Sequence, residues 1–198
     1  MDLSLRRASL AVRAGLLGFI SGVLSCLLVS SSLIYVARAQ KTYDHVVWPG
    51  LVFALVVLIP ISRWAGDSWP RIVTAFLASS VSYPIAWWIS VSHLAGPAPS
   101  WVAVIADFAG AGLFGGLVLA GVFLYRRPGW ARSTLTTVVL GALIGGLMGA
   151  NLRAAMATAH WPVDIRTGLA LMVVLWQTVV GASLGAGVKR TKAQSENG

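Results

Sequence analysis

The chain has 198 residues, of which 57% are hydrophobic and only 11% are charged, and its mean hydropathy is +0.79. Soluble domains carry about 25% charged residues, so this composition excludes a soluble globular protein and indicates an all-α, polytopic membrane protein. The net charge of +9 would point to nucleic acid in a soluble chain, but here Lys and Arg flank apolar segments, so no nucleic-acid partner is expected.

Hydropathy divides the chain into six apolar segments joined by short polar connections. A helix needs about 20 residues to cross a bilayer, and the segments are close to that length, so six transmembrane helices are predicted. The predicted spans are residues 14–36, 46–61, 72–91, 101–125, 133–157 and 166–188. On this prediction residues 1–13 form a basic cytoplasmic head, residues 14–188 a six-helix transmembrane domain, and residues 189–198 a basic, disordered cytoplasmic tail.

The distribution of Lys and Arg predicts how these spans are oriented. With six spans both termini share one end, which carries eleven Lys and Arg residues, whereas the other end carries four, at Arg38, Lys41, Arg153 and Arg166. Because Lys and Arg are enriched in cytoplasmic loops, both termini are expected in the cytoplasm. The expected localisation is a multi-pass protein of a bacterial inner membrane.

Glycines at intervals of four mark four of the six spans. The spacing recurs in the first, fourth, fifth and sixth spans and puts small residues on one helical face, which lets a neighbouring helix approach closely. These four helices are therefore predicted to form the close-packed centre, with a homo-oligomer interface as the alternative use of the same ridges. The second span, apolar all round and poor in small residues, is predicted to face lipid.

The two halves of the chain share short similarities. Ala14-Gly15-Leu16-Leu17-Gly18 in the first span resembles Ala111-Gly112-Leu113-Phe114-Gly115 in the fourth. Three spans per half would give a 3+3 inverted repeat, an arrangement found in many secondary transporters. Chance similarity between short apolar segments is the alternative.

Asp107, inside the fourth span, is the leading candidate for function, because an ionisable residue within a membrane is costly and usually marks a site. It lies six residues beyond Trp101, about 9 Å into the helix, and Arg153 lies eight residues before Trp161, about 12 Å from the same boundary. A salt bridge at equal depth is predicted, with Asn151 nearby. The alternatives are a purely structural pair or an Arg153 that reaches outward to water.

Further polar residues fall at the same predicted outer end. His160 joins Asp107, Asn151 and Arg153 as a predicted substrate-binding residue, while His45, His93 and Asp164 are candidates for an outer-face proton or metal site. Histidine and carboxylate ligate metals, and imidazole titrates near neutral pH. The spacing of these residues fits no metal motif, so neither a metal nor another cofactor is expected.

Basic residues beside the spans are predicted to contact lipid at the inner end. Anionic headgroups attract juxtamembrane Lys and Arg, and an acidic surface of a partner protein is the alternative. The residues concerned are Arg126, Arg127, Lys189, Arg190 and Lys192.

The sequence predicts a transport protein rather than an enzyme. Gly181-Ala182-Ser183-Leu184-Gly185 matches a serine-hydrolase pattern, but the serine lies about 25 Å from the end that holds every histidine, so no base activates it. The expected function is a channel, carrier or membrane-embedded substrate-binding subunit that admits a small polar or anionic solute from outside. The alternatives are a scaffold or sensor subunit of a membrane complex, and an oligomerising membrane-disrupting or immunity protein.

Overall fold

The computed structural model describes residues 3–39, 48–91, 100–125, 127, 129–156 and 161–195. These residues form an all-α structure of six helices: α1 (Leu3–Ala39), α2 (Trp48–Ala65), α3 (Trp69–Val91), α4 (Trp101–Leu124), α5 (Trp130–Met156) and α6 (Trp161–Ser195). Five contain apolar stretches long enough to cross a membrane, whereas the apolar stretch found in α6 is the shorter Val173–Val188. The chain is therefore a multi-pass integral membrane protein, and a sixth crossing stays a prediction.

The second helix widens in its middle because of a proline. It runs as an α-helix over Trp48–Phe53, forms a π-helical turn over Ala54–Leu58 and resumes over Ile59–Ala65. In the wide turn the N–H of Ile59 donates to the Ala54 carbonyl, five residues back. Pro60 has no N–H, and its ring would clash with the carbonyl four residues before it. The wide turn accommodates this ring without ending the helix.

The prediction that the second span faces lipid is wrong. Phe53, Ala54, Val57, Leu58 and Ile61 are each at most 1% exposed. They form a core cluster with residues of α1, α3, α4 and α6. The helix has one glycine, Gly50, where a Cβ would lie 2.6 Å from the Ser79 carbonyl oxygen of α3, and large side chains make up most of its buried face. The scarcity of small residues therefore did not indicate lipid contact.

The close approach predicted from the glycines is confirmed within one chain. A Cβ atom on Gly145 of α5 would overlap the carbonyl oxygen of Phe108 in α4, and one on Gly18 of α1 would overlap that of Gln177 in α6. Two tight helix pairs, α4 with α5 and α1 with α6, result. Packing within one chain is therefore enough to explain the glycines at intervals of four. A homo-oligomer interface built from the same glycines stays a prediction.

The glycine contacts also fix the register of the antiparallel pairs. Between α4 and α5, position 104 faces 149, 108 faces 145, 112 faces 141 and 116 faces 137. Between α1 and α6, Gly22 faces Val174 and Gly185 faces Ala11, so the start of α1 and the end of α6 lie at one end of the bundle. We call this the Trp130 end, because α5 begins there, and the opposite end, where α4 begins, the Trp101 end.

Candidate functional site

Arg153 lies nearer the Trp101 end than the sequence predicts. Continuing the α4–α5 register by one turn puts Arg153 level with Ser100, and its guanidinium carbon lies 5.1 Å from the centroid of the Trp101 ring. Asp107 faces Gly146 in the same register, seven positions or about 10 Å deeper. The prediction of equal depth is therefore wrong, because close glycine contacts, not the tryptophans at the span ends, set the register. A salt bridge between Asp107 and Arg153 stays a prediction.

The structure describes only part of the predicted outer site. Asn151 is exposed, and its amide donates to the Leu147 carbonyl of its own helix at 2.9 Å. His45, His93 and His160 lie outside the described residues, as does the side chain of Asp164. Within the described part of the chain, no group of three or more His, Cys, Asp or Glu side chains is placed to hold a metal ion.

A cavity of about 70 Å³ lies between α3, α4, α5 and α6. Four aromatic rings and three hydroxyls, those of two serines and one tyrosine, give it its chemical character, and small or flexible apolar residues complete the wall. One water needs about 10–15 Å³ of such space, so the cavity has room for on the order of five waters or one small organic group. The lining residues are Ser82, Tyr83, Ala86, Trp87, Ser90, Phe108, Ala111, Gly112, Gly115, Gly145, Met148, Val173 and Trp176.

Trp176 forms the inner wall of this cavity. Its ring packs on two glycines, with Cζ2 3.0 Å from the position of a Cβ on Gly115 and Nε1 3.6 Å from that on Gly141. Tyr83 meets it edge to face with ring centroids 6.4 Å apart, and Phe53 lies at 6.1 Å. The indole Nε1 is buried and has no hydrogen-bond acceptor among the described residues. Trp176 therefore packs between helices, with its indole N–H enclosed among the described residues.

The two serines of the wall present oxygen lone pairs. The Ser90 hydroxyl donates to the Trp87 carbonyl at 2.7 Å, and the Ser82 hydroxyl donates to the Ser79 carbonyl at 3.2 Å. Both serines are buried, at 4% and 5% exposure. Because each proton is used within α3, each oxygen can still accept a hydrogen bond.

Asp107 lies in α4 next to lining residues of this cavity. It directly precedes Phe108 and lies four positions before Ala111, so it shares a face of α4 with Ala111. A Cβ on Gly110, next to Ala111, would contact Ile89 at 3.9 Å, so this flank of α4 meets the last turn of α3, where Ser90 lines the cavity. Asp107 is half-buried and is not itself among the lining residues.

A second polar site joins the α2–α3 turn to the α4–α5 turn at the Trp130 end. Arg127 Nη2 donates to both oxygens of Asp67, at 2.7 and 2.6 Å, and both side chains are only 6% exposed. Arg127 Nε donates to the Phe123 carbonyl at 3.0 Å, and the guanidinium carbon lies 5.0 Å from the Phe123 ring centroid. We call this pair the Asp67–Arg127 clasp.

Local backbone geometry places the Asp67 carboxylate. Gly66 ends α2 in the left-handed region, at φ 74°, which glycine adopts without strain, and the N–H of Asp67 then donates to the Ser62 carbonyl at 3.0 Å. Arg71, one turn into α3, lies 3.7 Å from the same carboxylate and also donates to the Tyr125 carbonyl.

The clasp gives one of the residues predicted to contact lipid a partner within the chain. Arg127 is buried and engaged by Asp67, whereas its predicted contact with headgroups stays a prediction. Burial lowers the pKa of the Arg127 guanidinium, and the Asp67 carboxylate opposes that shift. A guanidinium is not deprotonated in proteins, so Arg127 stays charged at neutral pH. The side chains of Arg126, Lys189, Arg190 and Lys192 lie outside the described residues.

Sequence reasoning missed the clasp although a signal was present. Asp67 is the acidic residue between the second and third spans, at an end that carries eleven basic residues. A lone carboxylate in a tight turn among so many cations is well placed to pair with one of them. The sequence does not show which arginine, because the partner comes from a turn 60 residues further along.

Two more polar contacts lie inside the bundle. Gln177, fully buried in α6, donates to Ser25 Oγ and to the Pro49 carbonyl, both at 3.3 Å, while its Oε1 has no donor among the described residues. Ser183, the serine of the hydrolase-like pattern, shares a 2.6 Å hydrogen bond with the Thr137 hydroxyl. This bond links α5 to α6, which is a packing role for the serine.

Comparisons of the chain with protein-family models, curated proteins and solved structures give no match.

Proposed function

We propose that the protein is a small membrane transport protein, a channel, carrier or substrate-binding subunit, in which a small solute binds in the cavity between α3, α4, α5 and α6. The observation that supports this best is a cavity lined by aromatic rings and hydroxyls inside a membrane bundle, with Asp107 directly before its lining residue Phe108 in α4. Binding sites are mostly apolar concavities with a few polar groups that orient the ligand, and intramembrane carboxylates usually mark solute or ion paths.

The proposal changes the roles of the residues predicted from sequence. Asp107 remains at the binding site. Arg153, about 10 Å further toward the Trp101 end, and the exposed Asn151 belong to the entrance. His160, His93, His45 and Asp164 keep their predicted outer-face roles.

The orientation is part of the proposal. Both termini are cytoplasmic, the membrane is a bacterial inner membrane, and the Trp101 end faces outward. The exposed Arg13, Arg63 and Arg132 near the Trp130 end support this, because basic residues are retained on the cytoplasmic side. The proposal also includes a sixth crossing by α6, the 3+3 inverted repeat and headgroup contacts by the remaining basic residues.

Permeation into liposomes tests the proposal with a panel of solutes that differ in charge. Proteoliposomes and empty liposomes are mixed with hyperosmotic glycerol, urea, choline chloride or sodium acetate, and re-swelling is followed by light scattering. We expect at least one solute to enter faster with the protein, and Ala111→Leu, which fills the cavity, to abolish the difference. Ala106→Leu, the same change at an exposed position of α4, serves as the matched control. Equal rates for all four solutes in both kinds of vesicle would refute the proposed function.

A further inference from the structure

The cavity and the Asp67–Arg127 clasp lie at different levels of the bundle. In α4 the lining residue nearest the Trp130 end is Gly115, about 12 Å before Phe123, whose carbonyl accepts a hydrogen bond from Arg127. In α3 the lining residues begin at Ser82, about 20 Å beyond the start of the helix. The cavity therefore occupies the half of the bundle nearer the Trp101 end, and the clasp lies at the other end.

Apolar side chains fill the bundle between the cavity and the clasp. They come from the parts of α4 and α6 beyond the cavity, belong to one core cluster with residues of α1, α2 and α3, and are each at most 4% exposed. The residues are Leu119, Phe123, Leu124, Val180, Leu184 and Val188. A polar solute finds no hydrogen-bond partner among these side chains, so in this conformation they close the cavity toward the Trp130 end.

The clasp joins two structural units at this closed end. Glycine contacts hold α4 and α5 together as one close pair, and Arg127 lies in the turn between them, whereas Asp67 lies in the turn between α2 and α3. Arg71 adds a second link between the same units, because it donates to the Tyr125 carbonyl. Resting on the proposed function, we infer that the clasp is the inner gate of a carrier. It holds the Trp130 end closed while a solute binds in the cavity, and it separates when the solute leaves at that end.

A glycine in each turn gives the clasp room to separate. Gly66 directly precedes Asp67, Gly129 lies two positions after Arg127, and both adopt the left-handed region, at φ 74° and 69°. A Cβ at either glycine would have no atom within 4 Å. Hinges are a few turn or element-terminal residues that absorb changes in φ and ψ, and glycine accepts such changes with the least strain. Each turn of the clasp therefore has a hinge position beside its charged residue.

A second cation is available to Asp67 when the clasp separates. Arg71 Nη1 lies 3.7 Å from the same carboxylate, and its side chain is 33% exposed, compared with 6% for Arg127. A buried charge that loses its only partner is costly, but on separation Asp67 keeps Arg71, and Arg127 reaches water at the end of the bundle. The closed and open states are therefore both supplied with partners for these charges, as exchange between two conformations requires.

Thiol accessibility tests whether the clasp closes the Trp130 end. In a Cys26→Ala background, Ser82→Cys puts a thiol on the cavity wall, and a membrane-impermeant thiol reagent is added to either face of sealed vesicles. A protease-sensitive tag on the C-terminus identifies the face at the Trp130 end. Asp67→Asn leaves a buried guanidinium unpaired in the closed state, which favours the open state. We expect it to raise the reaction rate at position 82 from that face at least about tenfold.

Matched variants show whether the charge is responsible. Asp67→Asn with Arg127→Met removes the buried charge, so it should return the rate to that of the intact clasp. Arg132→Gln, at an exposed arginine of the same end, should leave the rate unchanged. A rate for Asp67→Asn equal to that of the intact clasp would refute the inner gate.

The native cysteine separates opening from unfolding. The Cys26 thiol lies 3.5 Å from the Ala170 carbonyl, between α1 and α6, which are not the helices joined by the clasp turns. In the chain that retains Cys26 and Ser82, Asp67→Asn should therefore leave the reaction rate of Cys26 unchanged at the temperature of the assay. An equal rise in the rates at positions 26 and 82 would mean general loosening of the bundle and would overturn the gate.

A reversible cross-link tests whether the gate must open for transport. Asp67→Cys with Arg127→Cys, in the Cys26→Ala background, is bridged by a short bifunctional thiol reagent that a reductant removes. We expect the bridge to slow at least about tenfold the entry of a solute that the unmodified protein admits, and the reductant to restore entry. Each single cysteine variant, treated in the same way, is the control. Entry that the bridge leaves unchanged would contradict the inference.

The outcomes distinguish this inference from the proposed function. If a solute enters proteoliposomes but neither Asp67→Asn nor the bridge has its expected effect, the inference alone fails. If no solute enters with the unmodified protein while Asp67→Asn makes position 82 reactive, the proposed function fails and the clasp still closes the Trp130 end. If no solute enters and position 82 stays unreactive, both proposals fail.

Discussion

Removal of the carboxylate from the Asp67–Arg127 clasp should destabilise the protein strongly. In the Asp67→Asn variant the Arg127 guanidinium is still buried, at 6% exposure. Of the contacts described above, it keeps those with the Phe123 carbonyl and the Phe123 ring. Breaking a buried pair by removing one partner costs about 3–5 kcal/mol, because a buried charge is left uncompensated. At roughly 2–4 °C per kcal/mol for a chain of this size, the expected fall in Tm is about 6–20 °C.

The single cysteine provides the assay. Cys26 is half-buried in α1, and its thiol lies 3.5 Å from the Ala170 carbonyl of α6, so a thiol-reactive dye that fluoresces on reaction reports separation of these helices. Arg132→Gln, at an exposed arginine of the same end, is the matched control and should shift Tm by less than about 2 °C. The double variant Asp67→Asn with Arg127→Met should recover most of the loss, since it removes the buried charge that the single variant leaves uncompensated.

Two outcomes would refute this reasoning. A Tm for Asp67→Asn within about 2 °C of the unmodified protein would mean that Arg127 is solvated despite its burial. A double variant as unstable as the sum of the two single variants would mean that the charges do not interact, because coupled neighbours are not additive.

Three further predictions use the same preparations. Gly145→Ala should lower Tm because its Cβ meets the Phe108 carbonyl, whereas Gly121→Ala, with open space around it, should leave Tm unchanged or raise it by a few degrees through helix propensity; equal shifts would contradict the α4–α5 register. Trp176→Phe should leave Tm within about 3 °C, since loss of an unpaired donor offsets loss of ring area; a larger fall would show that the N–H has an acceptor. Asn151→Ala should leave solute entry into proteoliposomes unchanged while Asp107→Asn reduces it, and equal losses of entry would show that Asn151 belongs to the binding site.

The sequence predicted the helices and the small-residue contacts well because both depend on local patterns. Apolar length defined α3 and α4 to within a few residues, and intervals of four correctly placed Gly145 against α4. Length and periodicity are visible in one segment at a time, so they do not depend on which helix lies alongside.

Inter-helix relations were harder to predict. The depth of Arg153 depends on the register between α5 and α4. Close contacts with backbone atoms such as the Phe108 carbonyl oxygen fix that register, and the distance of Arg153 from a tryptophan in the sequence does not. The burial of α2 depended on which helices surround it, and the aromatic wall combines Tyr83, Phe108 and Trp176 from three helices. No spacing along one helix encodes such a combination.

Solvent access to the cavity tests the central claim most directly. In a Cys26→Ala background, Ser90→Cys puts a thiol on the cavity wall and Leu117→Cys, exposed on α4 at 48%, puts one on the outer surface of the bundle. Intact cells are treated with a small, membrane-impermeant thiol reagent. The account predicts that the cysteine at position 90 is modified from outside, that a solute found to enter the proteoliposomes slows this reaction, and that the cysteine at position 117 does not react. A cysteine at position 90 that reacts only with a membrane-permeant reagent, or not at all, would contradict a cavity open to the exterior.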